Sequence, residues 1–328
     1  MNLPFEPRVL EDSIVVNKTK SGKEERLTTF LVPFPTVKLA ELRTHRTIVQ
    51  TESEEFLLSS GESYLSMNAN SSRAIPLERQ IKQVEEMPFE PIWTMNQKGM
   101  SGKEAPSLMA EKASLQWHSA RAFALTRAKA MLELGIHKQD AALLLNPFSW
   151  TVCLLTASDK EWIHFFSLRC DDNVYPAVRV IAEKMRDAME KSTPRESGWL
   201  DWHLAFSDEA NRVVLNCPIP VSDTTQKNVL RAISMSMCAM ISYDTHQRQD
   251  SILKHVERAI MLIESGHWST AEHQYQYRLG YSSVVAMTNL RLKYWKSLRS
   301  IIEEERKSFL DTLKVFVEQL KNHSDAPA

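Results

Sequence analysis

The stretch that decides the fold is Arg26-Leu-Thr-Thr-Phe-Leu-Val32, a run of β-branched, aromatic and aliphatic residues. Such a run is typical of a buried β-strand. Pro33 and Pro35 follow it and are expected to interrupt the strand, because proline cannot donate a ladder hydrogen bond. Residues 36–45 then carry apolar side chains at helical spacing, which predicts a helix. A strand and a helix therefore lie next to each other in the sequence.

Long amphipathic segments follow this beginning. Apolar residues recur every three or four positions over residues 107–134, 176–193, 226–242, 251–264 and 288–320, which predicts helices there. Gly135 and Gly266 stand where helix C-caps belong. Residues 152–155 fit either a strand or a buried helical turn, and residues 212–220 are consistent with a strand. The pattern as a whole indicates an α+β protein.

The composition excludes several classes of protein. The chain has 328 residues, of which 25% are charged, and its formal net charge is −1. No overall positive field would therefore draw it to nucleic acid or to an anionic membrane. The 8 glycines form neither a Gly-x-Gly-x-x-Gly turn nor a P-loop. The first residues lack the order of a signal peptide, and no uncharged run is long enough to span a bilayer.

The four cysteines lie far apart without a Cys-x-x-Cys pair, which argues against a zinc ribbon and favours a reducing compartment. We therefore expect a soluble cytoplasmic protein without membrane or nucleic-acid partners.

Two arginine-containing clusters, Arg43-Thr-His-Arg46 and Ser71-Ser-Arg73, flank an acidic, Ser-rich excursion at residues 47–67. A guanidinium group offers a fork of donors that matches phosphate oxygens, and hydroxyl groups complete such a shell. The residues alone favour the other interpretation, two solvated basic turns, because arginine is mostly a surface residue.

Arg169 follows an aromatic run, so its charge is expected beside an apolar surface, where it needs either a ligand or an ion pair with Asp171 or Asp172. His267 and His273 stand six residues apart, which does not match the His-Glu-x-x-His spacing. No metal site is predicted.

The order of these clusters resembles that of flavin-dependent thymidylate synthases (ThyX), in the longer branch common in bacteriophages. The likeness spans roughly residues 26–295. It is carried by Arg26-Leu-Thr-Thr-Phe, Leu42-Arg-Thr-His-Arg46, Asn68-Ala-Asn-Ser-Ser-Arg-Ala-Ile-Pro76, Pro88-Phe-Glu-Pro-Ile-Trp93, Glu161-Trp-Ile-His-Phe-Phe-Ser-Leu-Arg-Cys170 and His267-Trp-Ser-Thr-Ala-Glu-His273.

The resemblance implies a ThyX-like α+β fold with a mixed or antiparallel sheet and several long helices. It divides the chain into an N-terminal extension (1–25), a catalytic region (26–215) with an insertion at 47–67, and a mostly helical C-terminal region (216–328) that completes the flavin site. The implied reaction is the reductive C5 methylation of dUMP by methylenetetrahydrofolate and NADPH, with FAD bound in a homotetramer and without a cysteine nucleophile.

The resemblance also assigns roles to residues. Arg169 is the catalytic group, whose guanidinium would stabilise negative charge on the pyrimidine ring. The FAD-binding residues are Thr44, His45, Arg46, His164, His267 and Ser269. The substrate-binding residues are Arg43, Ser71, Ser72 and Arg73.

This sequence departs from the family pattern at several positions. Leu143, Met237 and Met240 stand where arginines are expected, and His164 stands where asparagine is usual. Residues 47–67 separate two motifs that are normally close together. Three alternatives follow from these departures: methylation of another pyrimidine nucleotide, transfer of a hydroxymethyl group, or a non-catalytic assembly subunit.

Overall fold

A computed structural model of the protein describes residues 1–16, 24–43, 66–69, 75–98, 102–198, 200–241, 250–278 and 295–324. The strands are β1 (Arg8–Val16), β2 (Glu24–Pro35), β3 (Ser66–Ala69), β4 (Trp150–Ser158), β5 (Arg195–Glu196), β6 (Trp202–Leu204), β7 (Gln274–Tyr277) and β8 (Trp295–Ser297). The helices are α1 (Leu39–Arg43), α2 (Leu77–Glu86), α3 (Ser107–Glu133), α4 (Lys138–Ala142), α5 (Asp159–Arg169), α6 (Pro176–Lys191), α7 (Ser207–Leu215), α8 (Asp223–Ala239), α9 (Ile252–Glu264) and α10 (Leu298–Ser324).

The main sheet has the strand order β3-β4-β2-β1-β5. Its pairs are antiparallel except for β1 with β5, which is parallel. A second sheet has the order β6-β7-β8. The predicted fold class, α+β with a mixed sheet and long helices, is confirmed.

The predicted N-terminal extension contains a strand of the main sheet. Residues 8–16 form β1, which pairs with β2 along its length and with β5 at Ser13 and Ile14. The division of the chain into three regions stays a prediction.

The prolines after the deciding stretch do not interrupt the strand, because β2 continues to Pro35 opposite Trp150 of β4. The amide of Thr36 donates to the Ser149 carbonyl, 3.0 Å away, so the neighbouring odd-numbered positions point their amides away from β4. On that side β1 begins only opposite Leu31. Proline is tolerated there because no ladder hydrogen bond is lost.

The helical predictions are confirmed within the described ranges except at residues 295–297, and the strand predicted at residues 212–220 is wrong. Residues 212–215 belong to helix α7 rather than to a strand. Residues 295–297 form β8, so the last helix begins only at Leu298. Residues 152–155 lie in β4, which settles the ambiguity of that apolar run.

Among the buried apolar clusters of the described residues, two are the largest. The first packs α5 and α6 against the main sheet, with Phe30, Trp162 and Ile181 fully or almost fully buried. The second lies among α7, α8, α9 and α10. The first core places the C-terminal end of α5 beside α1.

Candidate active site

Arg169 is the last residue of α5 and lies against α1. The aromatic side chains of Trp162 and Phe165 pack one face of α5 into the first core, and this packing sets the position of the C-terminal end of the helix. The Arg169 Nη1 atom is 3.9 Å from Glu41 Oε1, and Nη2 donates to the Glu41 carbonyl at 3.4 Å. The side chain is 16% exposed. The guanidinium is therefore held at the edge of a core and keeps a small accessible surface.

Glu41 is the carboxylate that the sequence did not indicate. The sequence left open an ion pair of Arg169 with Asp171 or Asp172, whereas the structure places Glu41 beside Arg169, and Asp172 accepts a hydrogen bond from Arg179 at 2.6 Å. Glu41 lies three residues before Thr44 in the sequence. The catalytic candidate and the predicted FAD motif are thus joined through one short helix.

Two further groups surround Glu41. Lys38 Nζ is 3.6 Å from Glu41 Oε2 and lies 3.7 Å from the centre of the Tyr175 ring. Burial raises the pKa of Tyr175, and the Glu41 charge raises it further. The phenol therefore stays protonated at neutral pH and can donate a hydrogen bond.

Arg43, the last residue of α1, lies at the same end of the main sheet as Glu41 and Arg169. Its side chain is exposed, and its charge acts on Cys153, which faces Ala69 across β3 and β4. Burial nonetheless raises the pKa of Cys153 to about 12, so the thiol is not a nucleophile at neutral pH. β3 ends at Ala69, at this same end of the sheet.

Several predicted site residues lie outside the described residues, namely Thr44, His45, Arg46, Ser71, Ser72 and Arg73. His164 is described and exposed on α5. Five residues at about 100° each put His164 roughly 140° around the helix from Arg169. Within one chain the structure does not place these two side chains on the same face.

His267 and Ser269 lie at the start of a 3-10 helix (Trp268–His273). His267 is exposed and Ser269 is half-buried. The preceding helix α9 closes with Gly266 in the left-handed region, and the His267 amide donates to the Leu262 carbonyl at 2.9 Å. The 3-10 helix packs against β3 and β4. The later predicted FAD segment thus adjoins the strand that leads to Ser71.

The positions that lack the expected arginines have different surroundings. Leu143 is 62% exposed, so an arginine would fit there without rearrangement. Met240 is buried, and its sulfur accepts from Arg258 Nη1 at 2.6 Å. Arg258 comes from α9 and is anchored to Asp250 at 2.7 Å. A guanidinium group therefore lies beside position 240, although no local pattern in the sequence indicated it.

The sequence reasoning also missed a set of buried polar residues between the two sheets. His203 is fully buried, and its ring lies within hydrogen-bond distance of both Thr29 and Ser13. Burial lowers its pKa to about 3, so the imidazole is neutral. The only signal in the sequence was the Thr28-Thr29 pair inside an otherwise apolar strand.

Among the described residues, no group of three or more His, Cys, Asp and Glu side chains is arranged to hold a metal ion. No helix in the described part of the chain has the length and apolar character needed to cross a membrane.

The fold and the site define a mixed α+β protein with a group of basic side chains at one end of its main sheet. Residues 8–195, more than half of the chain, match the family described as thymidylate synthase complementing protein (Thy1). The chain belongs to this family, which is the ThyX family, and the resemblance seen in the sequence is confirmed at that level.

Solved structures that are similar to this chain include a UMP/dUMP methylase, PolB from Streptomyces cacaoi, bound with 5-Br UMP and, in a second structure, with 5-Br dUMP. Each is 19% identical with a TM-score of 0.37 and covers 51% of this chain, and the alignments cover 70% and 67% of the respective PolB chains. No curated protein matches the chain.

Proposed function

We propose that the protein is an FAD-dependent pyrimidine nucleotide C5 methyltransferase of the thymidylate synthase type, which methylates dUMP with methylenetetrahydrofolate and NADPH. The observation that carries the proposal is the position of Arg169, a mostly buried guanidinium held at the end of α5 against α1. Family membership gives this residue its chemical context.

The role of Arg169 follows from its surroundings. C5 of the pyrimidine can attack the one-carbon unit only after electron density has built up in the ring, where C5 and the ring carbonyl oxygens share the negative charge. A guanidinium fixed beside a low-dielectric core stabilises that charge without reorganising. The Glu41 carbonyl at 3.4 Å and the Glu41 carboxylate at 3.9 Å keep the guanidinium beside α1 before the substrate arrives.

The described residues fit a flavin dinucleotide by the chemistry of their donors. His267 and Ser269 supply an imidazole and a hydroxyl group from the 3-10 helix beside β3, while Arg43 supplies a guanidinium for an anionic oxygen of the nucleotide substrate. The flavin, when bound, supplies the hydride chemistry. The roles of Thr44, His45, Arg46, His164, Ser71, Ser72 and Arg73 stay predictions within this proposal.

The function is tested with purified protein, FAD and dUMP labelled with tritium at C5. We expect release of tritium that requires methylenetetrahydrofolate and NADPH. Arg169→Ala should lower turnover about a hundredfold or more, as losing one transition-state donor does. Arg179→Ala is the matched control, because it removes an arginine that pairs with Asp172 nearby.

Two results would contradict the proposal: failure of the wild-type protein to bind FAD, and equal turnover by the Arg169→Ala and Arg179→Ala variants.

A different substrate or product is the second candidate, and the missing arginines favour it. The family pattern has an arginine near position 143 that binds the nucleotide phosphate, whereas this protein has an exposed leucine there. Titrating the flavoprotein anaerobically with dUMP and with dCMP, and weighing the product by mass spectrometry, separates dUMP methylation from hydroxymethylation and from action on another pyrimidine. A non-catalytic subunit would give no product with either nucleotide.

We propose a homotetramer on the basis of the family resemblance. The exposed apolar side chains of α3 support self-association, since Leu108, Leu115 and Phe123 are all more than 60% exposed. Light scattering on the purified protein tests the assembly.

A cytoplasmic location belongs to the same proposal and is supported by four free cysteines. Fractionation of the cells that produce the protein tests the location.

A further inference from the structure

A continuous chain of buried polar groups connects the two sheets. We call it the buried chain, and its members are Glu11, Ser13, His203, Thr29, Thr156 and His273. Ser13 Oγ donates to Glu11 Oε1 at 3.3 Å, and His203 Nδ1 is 3.0 Å from Ser13 Oγ. Thr29 Oγ1 is 2.7 Å from His203 Nε2 and 2.7 Å from Thr156 Oγ1. Thr156 Oγ1 is 2.8 Å from His273 Nδ1.

Every member of the buried chain is at most 8% exposed. Burying so many polar groups is unfavourable unless each hydrogen bond is made, so the members depend on one another. Glu11 anchors one end, because its carboxylate also accepts from Ser207 at 2.6 Å and from Arg195 at 3.0 Å.

The Glu11 carboxylate only accepts hydrogen bonds, so it sets the donor-to-acceptor direction along the whole buried chain. The one hydroxyl proton of Ser13 points to Glu11, so Ser13 must accept from His203 Nδ1–H. The neutral His203 ring then has a bare Nε2, which accepts from the Thr29 hydroxyl.

The same reasoning continues to the other end. The Thr29 hydroxyl proton is donated to His203, so Thr29 must accept from the Thr156 hydroxyl group. The Thr156 proton is then also in use, so Thr156 accepts from His273 Nδ1–H. Each hydroxyl group donates once and accepts once. The hydrogen bonds fix both histidines as Nδ1–H donors.

The far end of the buried chain belongs to the segment that carries His267 and Ser269. His273 is the last residue of the 3-10 helix, and Thr156 pairs with Ser66 of β3. The next residue, Gln274, donates to Ser234 Oγ at 3.0 Å. Glu272, just before His273, pairs with Arg299. The C-terminal end of the 3-10 helix is thus tied to three separate elements.

We propose that the buried chain is a positioning device that holds the 3-10 helix at β3 and so sets the placement of His267 and Ser269 toward the flavin. This inference rests on the proposed function. His273 and Thr156 are positioning residues, because they act through the 3-10 helix. The ordering ends at Glu11 of β1, three strands away from β3 in the main sheet.

The test compares Thr156→Val, Thr156→Ser and Thr28→Val in the full-length protein. Thr28 is the matched control, since it is an equally buried threonine of β2 whose hydroxyl group donates to Asp12 instead, at 3.1 Å. The measurements are the tautomers of His203 and His273 by nitrogen-15 NMR, the Kd for FAD, and thermal unfolding.

We expect the wild-type protein to show both histidines protonated at Nδ1. Thr156→Val should change the His273 signal and weaken FAD binding about tenfold, the equivalent of one buried hydrogen bond. Thr156→Ser should restore both values. Thr28→Val also removes one buried hydrogen bond, so it should lower thermal stability about as much as Thr156→Val does. It should leave the Kd for FAD within about twofold, because Asp12, the partner of Thr28, is not in the buried chain.

The inference is overturned if the wild-type protein binds FAD and Thr156→Val binds it as tightly as Thr28→Val does. It is equally overturned if His273 carries its proton on Nε2 alone. If the wild-type protein binds no FAD, the proposed function fails first and the positioning role falls with it.

Discussion

Asp12 joins the N-terminal strand to the rest of the main sheet, and removing its carboxylate should destabilise the whole fold. The side chain is 5% exposed and accepts from Arg26 Nε at 2.8 Å and Arg26 Nη2 at 2.6 Å. Ser192, just after α6, donates to it at 2.6 Å. One carboxylate therefore connects β1, β2 and the end of α6.

The loss in the free energy of unfolding expected for Asp12→Ala follows from the contacts that Arg26 keeps. Breaking one side of a buried ion pair costs about 3 to 5 kcal/mol, because the other charge is left without a partner. Arg26 keeps the Met189 carbonyl at 3.0 Å and is 21% exposed, which favours the lower end of that range. We expect a loss of about 3 kcal/mol in the free energy of unfolding, or about 1 M in the urea midpoint.

The assay is urea unfolding followed by circular dichroism, with two comparison variants. Glu6→Ala removes an exposed carboxylate that also ties the N-terminal segment to α6, through Lys184 at 2.7 Å. That variant should lose less than about 1 kcal/mol. The double variant Asp12→Ala/Arg26→Met should recover at least half of the loss, since no buried charge remains. An Asp12→Ala protein as stable as Glu6→Ala would refute this reasoning, and so would a double variant less stable than the single one.

Two further predictions concern pH and backbone conformation. Burial lowers the pKa of His203 to about 3 and that of His255 to about 4, against 6.5 in the unfolded chain. The unfolded state therefore binds more protons below pH 6.5, so stability is full above that value and falls on acidification, by up to about 1.4 kcal/mol per pH unit for each histidine. The raised pKa of Glu11 acts in the opposite direction just above pH 4.5. Urea unfolding at pH 7, 6 and 5 measures the balance, and greater stability at pH 5 than at pH 7 would contradict it. Gly135 has φ +77° and open space where a Cβ atom would lie, so Gly135→Ala should cost about 1 kcal/mol from backbone strain alone. Gly266, at φ +76° with equally open space, should give the same value in the same assay, and a stabilised variant at either position would show that the strain argument fails.

The sequence predicted those elements whose signals are local. The stripes of α6 and α9 repeat at helical spacing, and the left-handed glycines after α3 and α9 end those helices as expected. Local signals failed where burial depended on distant residues. Residues 213–215 are apolar and include two β-branched valines, yet Ala210 and Val214 pack in the second core one helical turn apart. Strand β7, Gln274–Tyr277, is polar in sequence and fully buried in the structure.

The candidate site divides in the same way. The sequence named Arg169 and the arginine clusters because their order matches a family, and it named no partner for Arg169 beyond its neighbouring aspartates. Glu41 is 128 residues away, and Arg258 reaches Met240 from another helix. Such partners are not visible in a local pattern, because contacts between remote elements are set by packing.

The sequence by itself determined the family, the helices and the central strand, because side-chain periodicity and motif order are properties of neighbouring residues. Only the tertiary structure decided that β1 belongs to the main sheet and that the prolines continue β2. It also decided that Glu11, Ser13, Thr29, Thr156, His203 and His273 form one buried chain. The physical reason is that a polar group becomes stable inside a protein only when residues from distant segments complete its hydrogen bonds.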